Sequence, residues 1–175
     1  VAELAAVKTP SCLASAPRFR CVWTDPYSGA CKINAHCALD AASAAHDAGE
    51  YADAMALFRE VLSENPIAVD AHVGIGQIYL SAGHWSQAEP AFARAAKLSP
   101  RDFGAQYGHG VALQMMQRFV EAVRAYHRAL TIEPENVGAN LNLATTYLQM
   151  GRPRSAQVFA QRKLLAARQR ERVVA

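Results

Sequence analysis

The chain has 175 residues, half of them apolar (51%), and a formal net charge of +3. A chain of that size buries a core without metals or disulfides. No run approaches the roughly 18 apolar residues that a membrane-spanning helix needs. Basicity is local: Arg152 to Arg172 holds seven basic residues against Glu171 alone, net +6, whereas everything before it is net −3. A nucleic-acid protein spreads its basic stripe over a folded face, so this distribution argues against that class. The sequence opens at Val1 rather than Met, which fits a removed leader and a trimmed start equally well.

Residues 1–34 read as an irregular segment. VAELAAV suits a short helix, but Pro10, Pro17, Pro26 and Gly29 break the stretch after it. Cys12, Cys21 and Cys31 lie here, Cys37 stands close behind, and the remaining 138 residues contain no cysteine. Four readings compete. Two disulfides come first, because an even number of cysteines sits where the chain makes no core of its own. Proximity favours Cys12–Cys21 with Cys31–Cys37. A structural zinc site with Cys ligands and His36 is weaker, since no Cys-x-x-Cys element is present. Buried free thiols and a catalytic thiol come after these, the last without any His–acid constellation to activate it. Disulfides place the protein in an oxidising compartment, periplasmic or secreted, with the cytoplasm as the alternative.

From residue 35 onward a period governs the chain. Pro66, Pro100 and Pro134 stand 34 residues apart, and the same step links Phe58, Phe92 and Tyr126; Tyr51, Trp85 and Phe119; Ala54, Ala88 and Ala122; Gly76 and Gly110. Each unit holds two amphipathic stretches of about 14 residues, broken near Gly49, Gly83, Gln117 and Gly151. Proline closes each second stretch. Pro90 falls inside one of these and predicts a kink, while Pro153 suits a first helical turn. Residues 157–174 read as a long final helix with an arginine-rich face.

The unit Val69 to Pro100, with Ile75-Gly76, Tyr79, Ala88, Phe92 and Pro100, resembles the tetratricopeptide repeat, although His72 stands where that family prefers Trp. The unit Phe103 to Pro134 matches at Gly110, Ala122, Tyr126 and Pro134. The resemblance covers residues 35 to about 163 and implies an all-α, right-handed solenoid of about four helix-turn-helix repeats with a C-terminal capping helix. The units are 35–68, 69–102, 103–136 and 137–175.

In that family the first helices line a concave groove that binds an extended or helical peptide. Resemblance and helical spacing together nominate Leu39, Ser43 and His46; Val73, Gln77 and Leu80; Tyr107, Val111 and Gln114; and Leu141, Thr145 and Leu148. Leu39, Val73, Tyr107 and Leu141 repeat at 34 and predict one apolar ridge, with Tyr107 as its best anchor. A partner peptide covers it, or the chain's own ends fold into it. The carboxylate clamp of chaperone-binding relatives is not expected, because Leu39, Ser43, Gly74, Gly104 and Gly108 supply no charge.

His109 reads as a packing imidazole, and His72, His84 and His127 lack ligand spacing. No phosphate loop, nucleophile elbow or zinc-protease motif occurs. The sequence therefore predicts no enzyme, no metal and no cofactor. It predicts a scaffold that binds another protein, in assembly of a bacterial envelope complex such as a pilus or secretion system. The rival is a regulatory module docking nucleic acid or anionic membrane through the arginine-rich tail.

Overall fold

A computed structural model of the chain describes residues 35–160. The cysteine segment before Ala35 and the capping segment after residue 160 lie outside the described residues. Everything described is helix or turn. The chain divides into two compact units, Val1–Asn65 and Pro66–Ala175.

The first unit contains one hairpin, α1 (Ala35–Asp47) packed on α2 (Tyr51–Glu64). Its interior is small on one side and large on the other: Ala38 and Ala42 from α1, Leu57, Phe58 and Val61 from α2, all buried.

The second unit contains α3 (Val69–Ser81), α4 (Trp85–Leu98), α5 (Phe103–Met115), α6 (Phe119–Ile132) and α7 (Val137–Gln149). A further helical stretch covers residues 153–160, opening at Pro153 as the sequence predicts. Helices pack in chain order, α3 on α4, α4 on α5, α5 on α6 and α6 on α7. The first helices also run alongside one another, α3 beside α5 and α5 beside α7.

Each hairpin turn uses one hydrogen-bond scheme. Gly49, Gly83, Gln117 and Gly151 have φ of 80°, 75°, 61° and 70°. The next amide reaches back five residues: His84 N to Tyr79 O, 2.8 Å; Arg118 N to Leu113 O, 2.9 Å; Arg152 N to Tyr147 O, 2.9 Å. This left-handed ending satisfies the last helical carbonyls and lets the second helix begin within two residues. Gln117 adopts it without being glycine, at a steric cost on the order of 1 kcal/mol.

The proline step works through the residue before it. Asn65, Ser99 and Glu133 have φ between −125° and −131° and ψ between 84° and 91°. Crowding from the proline ring expels them from helical geometry, so each second helix ends one residue early. The proline carbonyl then accepts a bond from six residues on: His72 to Pro66, 3.1 Å; Gln106 Nε2 to Pro100, 3.3 Å; Asn140 Nδ2 to Pro134, 3.1 Å. A polar side chain thus ties the turn at the place where the family prefers tryptophan. Helix α4 runs from Trp85 to Leu98 through Pro90 without a break, and Pro90 is exposed there.

Close approach of the helices needs glycine. A Cβ on Gly76 would lie 2.7 Å from the Phe92 ring, and one on Gly108 would overlap the opposite edge of that ring. A Cβ on Gly110 would meet Tyr126 at 2.7 Å. Phe92 and Tyr126 are 1% and 0% exposed, so neither ring has room to retreat.

This packing makes two substitutions diverge in stability. Gly108→Ala should destabilise by about 1–3 kcal/mol through overpacking against Phe92. Gly104→Ala meets only ordinary contacts, 3.4 Å to Asp102 Oδ1 and 3.7 Å to Val73 Cγ1, and should be neutral or stabilising by up to about 1 kcal/mol from helix propensity. Thermal unfolding monitored by circular dichroism separates the pair. Capping supplies a second test. Asp102 and Asn136 accept from the amides three residues on, at 2.6 and 3.0 Å, whereas Ala68, 34 residues before Asp102, offers nothing. With its φ of −67° and ψ of 103° already suited to a cap, Ala68→Asp should add about 0.5–2 kcal/mol in urea unfolding.

Candidate functional site

In α1 of the first unit, Leu39 and His46 are half-buried and Ser43 is exposed. The His46 ring lies 5.7 Å from Tyr51, and its Nδ1 is 3.3 Å from Asp47. In the second unit, Gln77 of α3 is exposed, while Val73 and Leu80 are half-buried against the Ala88, Phe92 and Ala112 cluster. Tyr107 and Val111 of α5 pack on a larger core of Leu113, Tyr126, Leu130 and Leu143. Leu141 and Leu148 of α7 are 50% and 57% exposed. Thr145 between them is half-buried, its hydroxyl donating to the Leu141 carbonyl at 2.9 Å. Cys12, Cys21, Cys31 and the side chain of Cys37 lie outside the described residues.

Several of these side chains act between repeats. The Tyr107 ring stacks on Phe103 (5.5 Å between centroids) and leans on Tyr126 (6.0 Å), and its hydroxyl accepts from Asn142 Nδ2 at 3.0 Å. Tyr107 therefore joins α5 to α7, and a charge there would break the stack as well as any groove. Gln114 is engaged too. Its Oε1 accepts from the Tyr126 hydroxyl at 2.8 Å and its Nε2 donates to Gln149 at 3.1 Å. Burial holds the Tyr126 phenol well above its ordinary pKa, so it stays a hydrogen-bond donor.

Charge is kept off these helices. Neither α5 nor α7 contains an Asp, Glu, Lys or Arg, and α3 contains only Asp70. The second helices carry it instead. Glu89 of α4 lies 3.4 Å from His109 Nε2 and 3.5 Å from Arg118, which also grips Glu121 through two bonds of 2.8 and 2.7 Å. Burial lowers the His109 pKa below its ordinary value, only partly offset by the bond to Glu89. Among the described residues no three metal-capable side chains cluster, and no helix is long and apolar enough to cross a membrane.

Repeats of this build define a helical protein-interaction scaffold. The tetratricopeptide-repeat family model matches residues 45–108 and 113–175, and the chain belongs to that family, which is generally non-enzymatic. Solved structures of MamA proteins share its fold. MamA of AMB-1 is 26% identical with a TM-score of 0.64, the match covering 74% of this chain and 70% of that one. MamA from Desulfovibrio magneticus RS-1, residues 41 to the end, is 19% identical with a TM-score of 0.72, covering 78% and 77%. No curated protein matches the chain in sequence.

Two measurements probe these interactions. The His109 pKa is lower in the folded state, so its contribution is full above the unfolded value near 6.5 and is lost as pH falls below it. Native protein should lose stability between pH 7 and pH 5, and His109→Gln should flatten that loss in urea titrations. Gln114→Ala would strand the Tyr126 hydroxyl in the interior, costing about 1–3 kcal/mol. Adding Tyr126→Phe should restore part of that, and a double-mutant cycle reads the coupling.

Proposed function

We propose that this chain is an adaptor that holds an uncharged or apolar peptide segment of another protein along its first helices. The observation behind this reading is the separation of charge: α5 and α7 are uncharged, while ionic groups gather on α4, α6 and the turns. A face that is neutral, and apolar in part, desolvates at little cost and repels strongly charged segments, which would lose hydration without a counter-charge. Exposed Gln77 offers amide hydrogen bonding to a peptide backbone, and Thr145 adds a small polar surface. A setting in bacterial envelope assembly, at a pilus or secretion complex, is part of the same proposal. It rests on four cysteines gathered before residue 38 in a chain otherwise without them.

Both halves are testable. Gln77→Arg changes an exposed residue and should leave helicity intact. It should weaken capture of the native partner, identified by crosslinking and pull-down, by roughly tenfold, since it sets an unpaired charge in a neutral face. Unchanged affinity would remove the first-helix face as the binding site. For the compartment, alkylation and mass measurement of freshly isolated protein should reveal four thiols only after reduction. Four thiols without reductant, or stoichiometric zinc, would overturn the oxidising setting.

A further inference from the structure

Within the second unit, each first helix is covered at the same register places by the next one. Gly104 of α5 sits over Val73 of α3, where a Cβ would lie 3.7 Å from Cγ1. Gly138 of α7 sits over Tyr107 of α5, where a Cβ would lie 3.3 Å from the hydroxyl. Further along, Gln114 of α5 is bonded to Gln149 of α7. On α7 the places of Val73 and Leu80 are taken by Leu141 and Leu148, now 50% and 57% exposed, with Val137 on the same helix at 38%. An end that faces only water is normally polar in a stacked-repeat protein. Here it is leucine, and the helix carries no charge.

We propose that α7 is a seat for one more helix, supplied by another protein and stacked on α7 as α5 is stacked on α3. This rests on the scaffold reading and names the partner's chemistry. The geometry that seats α5 specifies the occupant: small residues at its second and sixth positions, as in Gly104 and Gly108, an apolar residue one or two turns on, and no charge toward α7. The chain's own remaining sequence does not meet that demand. The 34-residue step puts Arg172 at the place of Gly104 and Gly138. A second copy does not meet it either: α1 has His36 and α3 has Asp70 at that place, and the glycine-bearing helices are already packed in the copy's own stack.

The probe is a labelled, hydrocarbon-stapled peptide of the α5 sequence Phe103–Met115, titrated by fluorescence anisotropy against the full chain. Saturable binding is expected. It should weaken at least about tenfold with Leu141→Glu in the protein, and equally with arginine in place of the peptide's Gly104 equivalent, because each buries an unpaired charge. Circular dichroism confirms that the variant is folded, and the peptide change tests the seat without touching the protein. Gln77→Arg should leave this titration unchanged. No saturable binding, or binding indifferent to both changes, overturns the seat. So does hydroxyl-radical footprinting that finds Leu141 and Leu148 protected in the monomer, which would mean the chain covers them itself. A dimer that dissociates on Leu141→Glu overturns it in favour of a second copy. If the peptide fails while partner capture stays sensitive to Gln77→Arg, the seat alone is lost; if no partner is captured at all, the scaffold reading falls first.

Discussion

The contact on which the second unit depends is an aromatic ring pressed against a helix that has no side chain there. Phe92 sits between Gly76 of its own hairpin and Gly108 of the next, and Tyr126 lies on Gly110. A hairpin without such a wedge would hold its helices apart by the width of a side chain, and the next first helix would lose its footing. Because Phe92 touches glycines on both α3 and α5, closing one hairpin and stacking the next are a single packing event. This is the physical content of cooperativity between neighbours in a stacked-repeat protein. It also explains the spread of helix propensity along the chain. Glycine costs about 1 kcal/mol relative to alanine inside a helix, and the first helices accept that cost where a ring is buried in return.

Most of this is legible in the sequence because the devices that end helices recur with the packing residues. The proline step marks the second helices' ends, and the glycines at 49, 83 and 151 mark the hairpin turns. Gln117 is placed by its register alone, since its side chain gives no hint of a left-handed φ. The ties from His72, Gln106 and Asn140 to the proline carbonyls are not legible, as three different side chains perform one task. Pro90 shows the opposite limit: a helix breaker by composition sits in an unbroken helix, held there by the packing of Ala88 and Phe92 on either side of it.

The groove is less legible at individual residues, for a geometric reason. Helical spacing says which side of a helix a residue occupies, but not whether a neighbouring helix lies against that side. Tyr107 and Gln114 stand on the nominated face, and both reach sideways into hydrogen bonds with α7. Their counterparts on α7, Leu141 and Leu148, hold the same register and remain exposed. The difference is made by position in the stack rather than by sequence.

That difference bears on what the chain can recognise. Side chains already spent on holding repeats together cannot also discriminate a ligand without loosening the stack. Discrimination falls to residues that the stack leaves unused, such as Gln77 on the face of α3 and the two leucines of α7. These are uncharged, and the ionic groups of the second unit engage one another around Glu89, Arg118 and Glu121 instead. A surface of this kind selects by shape and by the absence of charge, which gives slow electrostatic steering and a weak dependence on salt. The same economy that keeps charge off α5 and α7 lets glycine-lined helices pack closely, because no buried ion there needs a partner. Fold and recognition thus draw on one feature, neutral first helices built from small residues, and they divide it between the interior of the stack and its end.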